Sequence, residues 1–245
     1  MGIVLGAGVY FNSGCSPFSW IQTIHPSNPL RATVAGQPLQ SPRHICCFFD
    51  SRAQQYEVLA PYIPEGLEQG EKVLNVLDGH LIDDHHLRLS DAGIAVAAAR
   101  ESGRLCTHAS DQTYLADGHF DKARMLAMLT HELKTIREQG FTRLRTCGDM
   151  NWMLKHAGST EQILAYESDV NDLLEGHDAT FMCVYDVNRI SGTLMRDVLN
   201  THSQVLMGSL VYENPYYLAP AEYRRSLLAR RAATADVWAK DDVHT

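Results

Sequence analysis

Residues 44–50, His44-Ile45-Cys46-Cys47-Phe48-Phe49-Asp50, are followed by a helical run and then by Gly70-Glu71-Lys72-Val73-Leu74-Asn75-Val76-Leu77-Asp78. Two short apolar runs, each closing on an aspartate and separated by one amphipathic helix, are the pattern of a β-α-β unit in a parallel sheet. A sheet of that kind places its ligand just beyond the carboxyl ends of its strands. The residues immediately after each strand are therefore the first candidates for function.

The chain has 245 residues, 45% of them hydrophobic, enough for one substantial core. The expected organisation is an irregular N-terminal extension over residues 1–40, one domain over 41–220, and a C-terminal helix and tail over 221–245. A net charge of −8 argues against direct nucleic-acid binding, which needs clustered Lys and Arg. The six cysteines, Cys15, Cys46, Cys47, Cys106, Cys147 and Cys183, are scattered with no CxxC spacing. That usage fits reduced thiols in a cytoplasmic protein. Cys46 and Cys47 are neighbours on one strand, so their side chains face opposite sides of the sheet. The N-terminus has neither a basic leader nor an apolar run of spanning length, so no signal peptide and no membrane span are expected.

Residues 2–8, Gly-Ile-Val-Leu-Gly-Ala-Gly, start like a dinucleotide-binding turn, but Phe11 stands where the third glycine belongs and the next residues break a helix. After the first strand, Tyr56, Leu59, Ala60, Ile63 and Leu67 form one helical stripe, with Pro61 and Pro64 inside it predicting a kink or a restart. Further helices are expected over residues 81–92, 120–139 and 160–175, the last opened by a Ser159/Gln162 capping box, with a short one capped by Ser191. Further strands are expected over 104–108, 141–147, 181–185 and 204–212, residues 94–99 being ambiguous. The alternation predicts an α/β fold, a mostly parallel central sheet with helices on both faces. Arg224, Arg225, Arg230 and Arg231 on the last helix read as a solvated face.

The order of elements resembles the RecA/KaiC kind of ATPase core, which requires GxxxxGK[ST] between the first strand and its helix. Here that segment is Ser51-Arg52-Ala53-Gln54-Gln55, and none of the lysines follows a glycine. The expectation is a RecA/KaiC-like core without Walker A and without cofactor. There is no GxSxG, HExxH or kinase set. The densest group of metal-type ligands is His80, Asp83, Asp84, His85 and His86, where His80 and Asp84 share a helical face. It supports an alternative, a metal-dependent protein or enzyme, although two converging ligands fall short of a usual site. No metal site is assigned.

The strand ends gather Asp50, Asp78, His108, Asp149, Trp152, Tyr185 and Asp186, joined by Tyr56 of the intervening helix. Aromatics with a few acids suit a small organic molecule, a methylated amine included. His44, at the opposite end of the first strand from Asp50, is the weaker member of the set.

Residues 44–50, Glu65-Gly66-Leu67-Glu68-Gln69-Gly70-Glu71-Lys72, Gly148-Asp149-Met150-Asn151-Trp152, Tyr166-Glu167, Tyr185-Asp186 and Glu213-Asn214-Pro215-Tyr216-Tyr217 together resemble the MEDS domain, the sensory domain named for methanogens, methylotrophs and DcmR. The likeness runs over about residues 41–220. It implies a RecA/KaiC-derived fold without the ATP site, sensing a hydrocarbon derivative, halocarbon or methylated compound and signalling to a transcriptional or kinase partner. Neither a helix-turn-helix nor a kinase core is found here, so the implied output runs through a regulatory protein partner or a homo-oligomer.

Overall fold

The computed structural model describes residues 32–241. The glycine pattern of residues 2–8, Cys15 and most of the expected 1–40 extension lie outside the described residues. The chain opens with a hairpin of β1 (Thr33–Val34) and β2 (Gln37–Pro38), turned by Ala35 and Gly36 at positive φ. It continues through β3 (His44–Phe49), α1 (Arg52–Glu68), β4 (Lys72–Leu77), α2 (Ile82–Asp91), α3 (Val96–Glu101), β5 (Leu105–Ala109) and α4 (Lys122–Thr135). Then come β6 (Leu144–Asp149), a 3-10 helix (Met150–Lys155), α5 (Thr160–Leu174), β7 (Ala179–Asp186), α6 (Gly192–Leu199), β8 (Gln204–Met207), β9 (Leu210–Glu213) and α7 (Pro220–Asp241).

The central sheet has the order β5-β4-β6-β7-β3-β8-β9, parallel throughout except for β9. Every residue of β3 and β4 is buried, as expected of strands covered on both faces. One core packs Ile45, Cys47 and Phe49 under α1, α2 and α3; the other packs Cys46 and Phe48 under α4, α5 and α6. Cys46 and Cys47 thus face opposite sides. The chain leaves β3 and β4 toward one face but β6 and β7 toward the other, which opens a crevice beyond their carboxyl ends.

Three local expectations are corrected. The last strand is a hairpin rather than one run over 204–212: Gly208 turns the chain at φ 61° and Met207 pairs with Leu210. Helix α1 continues through Pro61 and Pro64 without a restart. Pro61 lies on the exposed side while Tyr62, Ile63 and Leu67 bury against the sheet, so packing holds the helix where two donors are missing. Ser159 makes no capping hydrogen bond; its φ of −103° and ψ of 1° turn it away from the extended backbone a capping side chain needs.

The last helix is solvated at Arg224 and Arg225, as expected, and two of its arginines also reach carboxylates of neighbouring helices. Arg224 donates to Asp169 and Asp172 of α5, each at 2.9 Å, and Arg230 donates to Asp197 of α6 at 2.9 Å. With Tyr223 fully buried, these contacts seat α7 on the face that carries α5 and α6.

Candidate functional site

Beyond the carboxyl ends of β3, β4, β6 and β7 lies a cleft of about 180 Å³. Its walls include Phe49, Arg52, Asp78, Asp149, Asp186 and Arg189. Ser51 caps α1, its hydroxyl accepting from the Gln54 N–H at 3.3 Å, so the helix starts at the cleft. Asp149 accepts from the N–H of Asn151 at 2.9 Å and from its Nδ2 at 2.7 Å. The Oδ1 of Asn151 in turn accepts from the N–H of Asp186 at 3.0 Å, and Asn188 donates to the Asp50 carbonyl at 2.7 Å. The polar residues after each strand thereby stitch β6 to β7 and β7 to β3.

The carboxylates differ in electrostatics. Burial raises the Asp149 carboxyl above its ordinary range, and the Asn151 hydrogen bonds only partly offset that. Burial also acts upward on Asp78, but the Lys155 ammonium at 3.1 Å and the Ser110 hydroxyl at 2.9 Å outweigh it and hold it low. Arg52 is committed to Asp84 at 2.9 Å, whereas the Arg189 guanidinium has no partner among the described residues.

Of the residues expected at this edge, the structure brings Asp78, Asp149 and Asp186 together in the cleft, while Tyr185 borders it with its ring turned to Phe48 and His202. Asp50 is exposed just outside it. Tyr56 lies beneath, its hydroxyl 2.6 Å from Nδ1 of the buried His85, with the Arg52 and Arg88 guanidiniums over its ring. His108 is exposed on β5, the far edge strand. Trp152 turns inward and stacks on Tyr114 at 4.7 Å and Phe120 at 5.7 Å, 1% exposed. The side chains of residues 80–86 diverge: Asp84 pairs with Arg52 and Arg88, His85 with Tyr56, His86 with Thr107, and His80 is exposed. They do not form a metal-ligating group.

His44 lies at the other end of β3 in a second constellation that the strand-end rule misses. Its Nε2 is 3.2 Å from Oε2 of Glu167 in α5, and Nε2 of His202 is 3.3 Å from the same oxygen. The Cys183 thiol on β7 is 3.4 Å from that oxygen and 3.6 Å from His44 Nε2. All four residues are buried. Burial alone would raise Glu167, yet its hydrogen bonds to His202 and His44 hold it at about 2. Burial and the neighbouring His202 push His44 down to about 4, against the pull of Glu167. Tyr114, Tyr166 and Tyr185 stand around this group, their phenols raised first by burial and then by the Glu167 charge among others. Gly148 makes the approach of Tyr114 possible: a Cβ there would stand 3.0 Å from its hydroxyl.

The model of a family described as MEDS, MEthanogen/methylotroph, DcmR Sensory domain, matches residues 43–203. A curated relative, the transcriptional repressor DcmR of Methylorubrum extorquens, is 25% identical over 189 residues, covering 71% of this chain and 63% of the relative. The chain thus spans less than two thirds of the length of the relative it matches.

Proposed function

The chain belongs to the MEDS family of sensory domains, and we propose that it is a non-catalytic module that takes a small organic molecule into the cleft beyond β3, β4, β6 and β7. The observation that carries this reading is the cleft itself, built at the place where parallel sheets bind ligands and lined by both apolar and polar groups. Phe49, Leu81 and Val184 offer apolar contact, and Asp78, Asp149 and Asp186 offer polar anchors. Those carboxylates repel phosphates at the position where a RecA/KaiC-like core would hold them, and Ser51-Arg52-Ala53 replaces the phosphate loop. The ligand class we assign is a hydrocarbon derivative, halocarbon or methylated compound, with a methylated amine favoured by the acids.

The relative's name, a transcriptional repressor, supports a transcriptional output. With a net charge of −8 the output runs through a regulatory protein or a second copy rather than through DNA contacts of this chain. The ligand shifts that partner equilibrium to the extent that it binds one state better. A reducing cytoplasm suits the free, mostly buried cysteines, and no described helix is long and apolar enough to cross a membrane.

Thermal-shift titration with small halocarbons, methylamines, alcohols and ATP with magnesium tests the assignment. Saturable stabilisation by one organic class without turnover is expected, worth about 2.7 kcal/mol at a hundredfold excess over Kd. Asp149→Asn should weaken it. Stabilisation by ATP with magnesium, or turnover of the hit, would sink the reading; binding unchanged in both Asp149→Asn and Asp186→Asn would place the ligand elsewhere.

A further inference from the structure

We infer that His44, Glu167, Cys183 and His202 form a buried binding site for a divalent metal ion of the zinc class. The site lies in the core between the sheet and α5, and the inference stands independently of what the cleft binds.

Four metal-ligating side chains converge on one point of the core. The donors come from β3, α5, β7 and the α6–β8 connection, and their ligating atoms lie within 4.8 Å of one another. Tetrahedral zinc has bonds of about 2.0–2.1 Å to nitrogen or oxygen and about 2.3 Å to sulfur, which sets neighbouring ligand atoms roughly 3.3–3.7 Å apart. The His44–Glu167, His202–Glu167, Cys183–Glu167 and Cys183–His44 separations are 3.2, 3.3, 3.4 and 3.6 Å. Four of the six edges of such a tetrahedron are thus already near their metal-bound lengths, and the other two lie within 4.8 Å.

Their lone pairs are oriented for an ion as well. Nδ1 of His202 is 2.9 Å from the Val198 carbonyl, which can only accept, so that nitrogen carries the hydrogen. With that hydrogen on Nδ1, His202 donates to Glu167 only when the ring carries both hydrogens; in the neutral ring Nε2 presents a lone pair to the carboxylate oxygen. A cation between them turns a repulsive contact into two bonds, and the carbonyl fixes the ring as outer partners of metal-bound histidines do. One proton could bridge His202 to Glu167, but His44 and the Cys183 sulfur crowd the same oxygen. Glu167 Oε1 has no hydrogen-bond partner among the described residues, so the group is not a satisfied structural network.

The donor set selects the ion. Two imidazoles, one carboxylate and one thiolate suit a borderline tetrahedral cation, whereas calcium and magnesium require more oxygens. Four protein ligands close the coordination shell, as in structural sites, and leave no position for an activated water. The ion would tie α5 and the α6–β8 connection to the middle of the sheet, and its binding would release the Cys183 proton to solvent. A cavity of about 20 Å³ bordered by His44, Glu167 and Cys183 has room for one water-sized group beside the ligands.

The full chain, expressed without a polyhistidine tag in zinc-supplemented medium, should carry zinc equimolar with protein by elemental analysis. After chelation and cobalt(II) loading it should show intense tetrahedral ligand-field bands and a thiolate-to-cobalt charge-transfer band. Cys183→Ser should lose that charge-transfer band, and His202→Gln should bind zinc roughly 10–100-fold more weakly or worse, the scale seen even for outer-shell changes. A folded wild type that takes up neither ion, or that gives only weak octahedral bands, overturns the proposal, as do unchanged spectra and affinity in both variants. Should either variant fail to fold, the wild-type cobalt spectrum decides alone.

Discussion

Arg145 of β6 donates through Nε to Glu71 at 2.5 Å, and both side chains are fully buried. The same guanidinium donates to the Tyr62 carbonyl of α1 at 2.7 Å and lies over the Tyr62 ring at 4.4 Å, while Arg143 approaches Glu71 at 2.7 Å. Glu71 is thus a fully buried anion at the junction of α1 with the start of β4 and β6, with the half-buried Glu65 of α1 3.4 Å from the same guanidinium. Glu71→Gln should destabilise the protein by about 3–5 kcal/mol, since breaking a buried pair strands the remaining charge. Urea denaturation checks it. Glu71→Leu combined with Arg145→Met should recover most of the loss, because Arg143 retains Asp178 at 3.6 Å.

Gly66 belongs to the same arrangement. A Cβ on it would stand 2.8 Å from both Cδ and Nε of Arg145 and 3.2 Å from Glu71 Oε2. Alanine normally gains about 1 kcal/mol over glycine in a helix. Here Gly66→Ala should instead destabilise, by about 1–3 kcal/mol, the scale of overpacking. A thermal melt at or above the wild-type midpoint would contradict this.

Asn151 ties β6 to β7 through one side chain, donating to Asp149 and accepting from the N–H of Asp186. Asn151→Ala should cost about 1–3 kcal/mol by leaving Asp149 short of a donor in a buried position. Asn151→Asp should cost more, since it sets a second carboxylate against Asp149. Ligand titration of Asn151→Ala should also show a weaker thermal shift, because the two strand ends that wall the cleft lose their tie.

Much of this fold is legible in the sequence because β3, β4, β6 and β7 each end on or just before an aspartate, Asp50, Asp78, Asp149 and Asp186. Trp152 obeys the same rule in sequence but not in space: the 3-10 turn after Asp149 folds inward, and the indole gains more from stacking on Tyr114 and Phe120 than from a place at the edge. The hairpin of β8 and β9 is carried by Gly208 alone, too small a signal within an apolar run. The His44, Glu167, Cys183 and His202 group is invisible to spacing because its members come from separate elements, His44 and Cys183 being 139 positions apart. Strand register joins them: Cys46 pairs with Cys183, and His44 lies two residues away on the same face. The motifs that begin at His44 and at Tyr166-Glu167 are the signals that fall on that group.

The buried His85 gives a pH dependence whose sign is set by its surroundings. Burial, then His86 and Arg52, lower its pKa from 6.5 to about 4, with Asp84 acting weakly the other way. An imidazolium there would meet the Arg52 and Arg88 guanidiniums that lie over Tyr56. Above pH 6.5 the ring is neutral folded and unfolded, and its contribution is fully present. Between 6.5 and about 4 the unfolded chain takes up a proton that the folded protein does not, so stability falls as pH falls. The loss is of the order of 2–3 kcal/mol and is complete once pH drops below the folded value. His44 and His86 also have lowered pKa values, so the informative quantity is the difference in unfolding free energy between wild type and His85→Gln across that range. The variant should be less stable than wild type at pH 7, and the gap should narrow steadily on acidification. A gap that stays constant would mean that His85 titrates alike in both states.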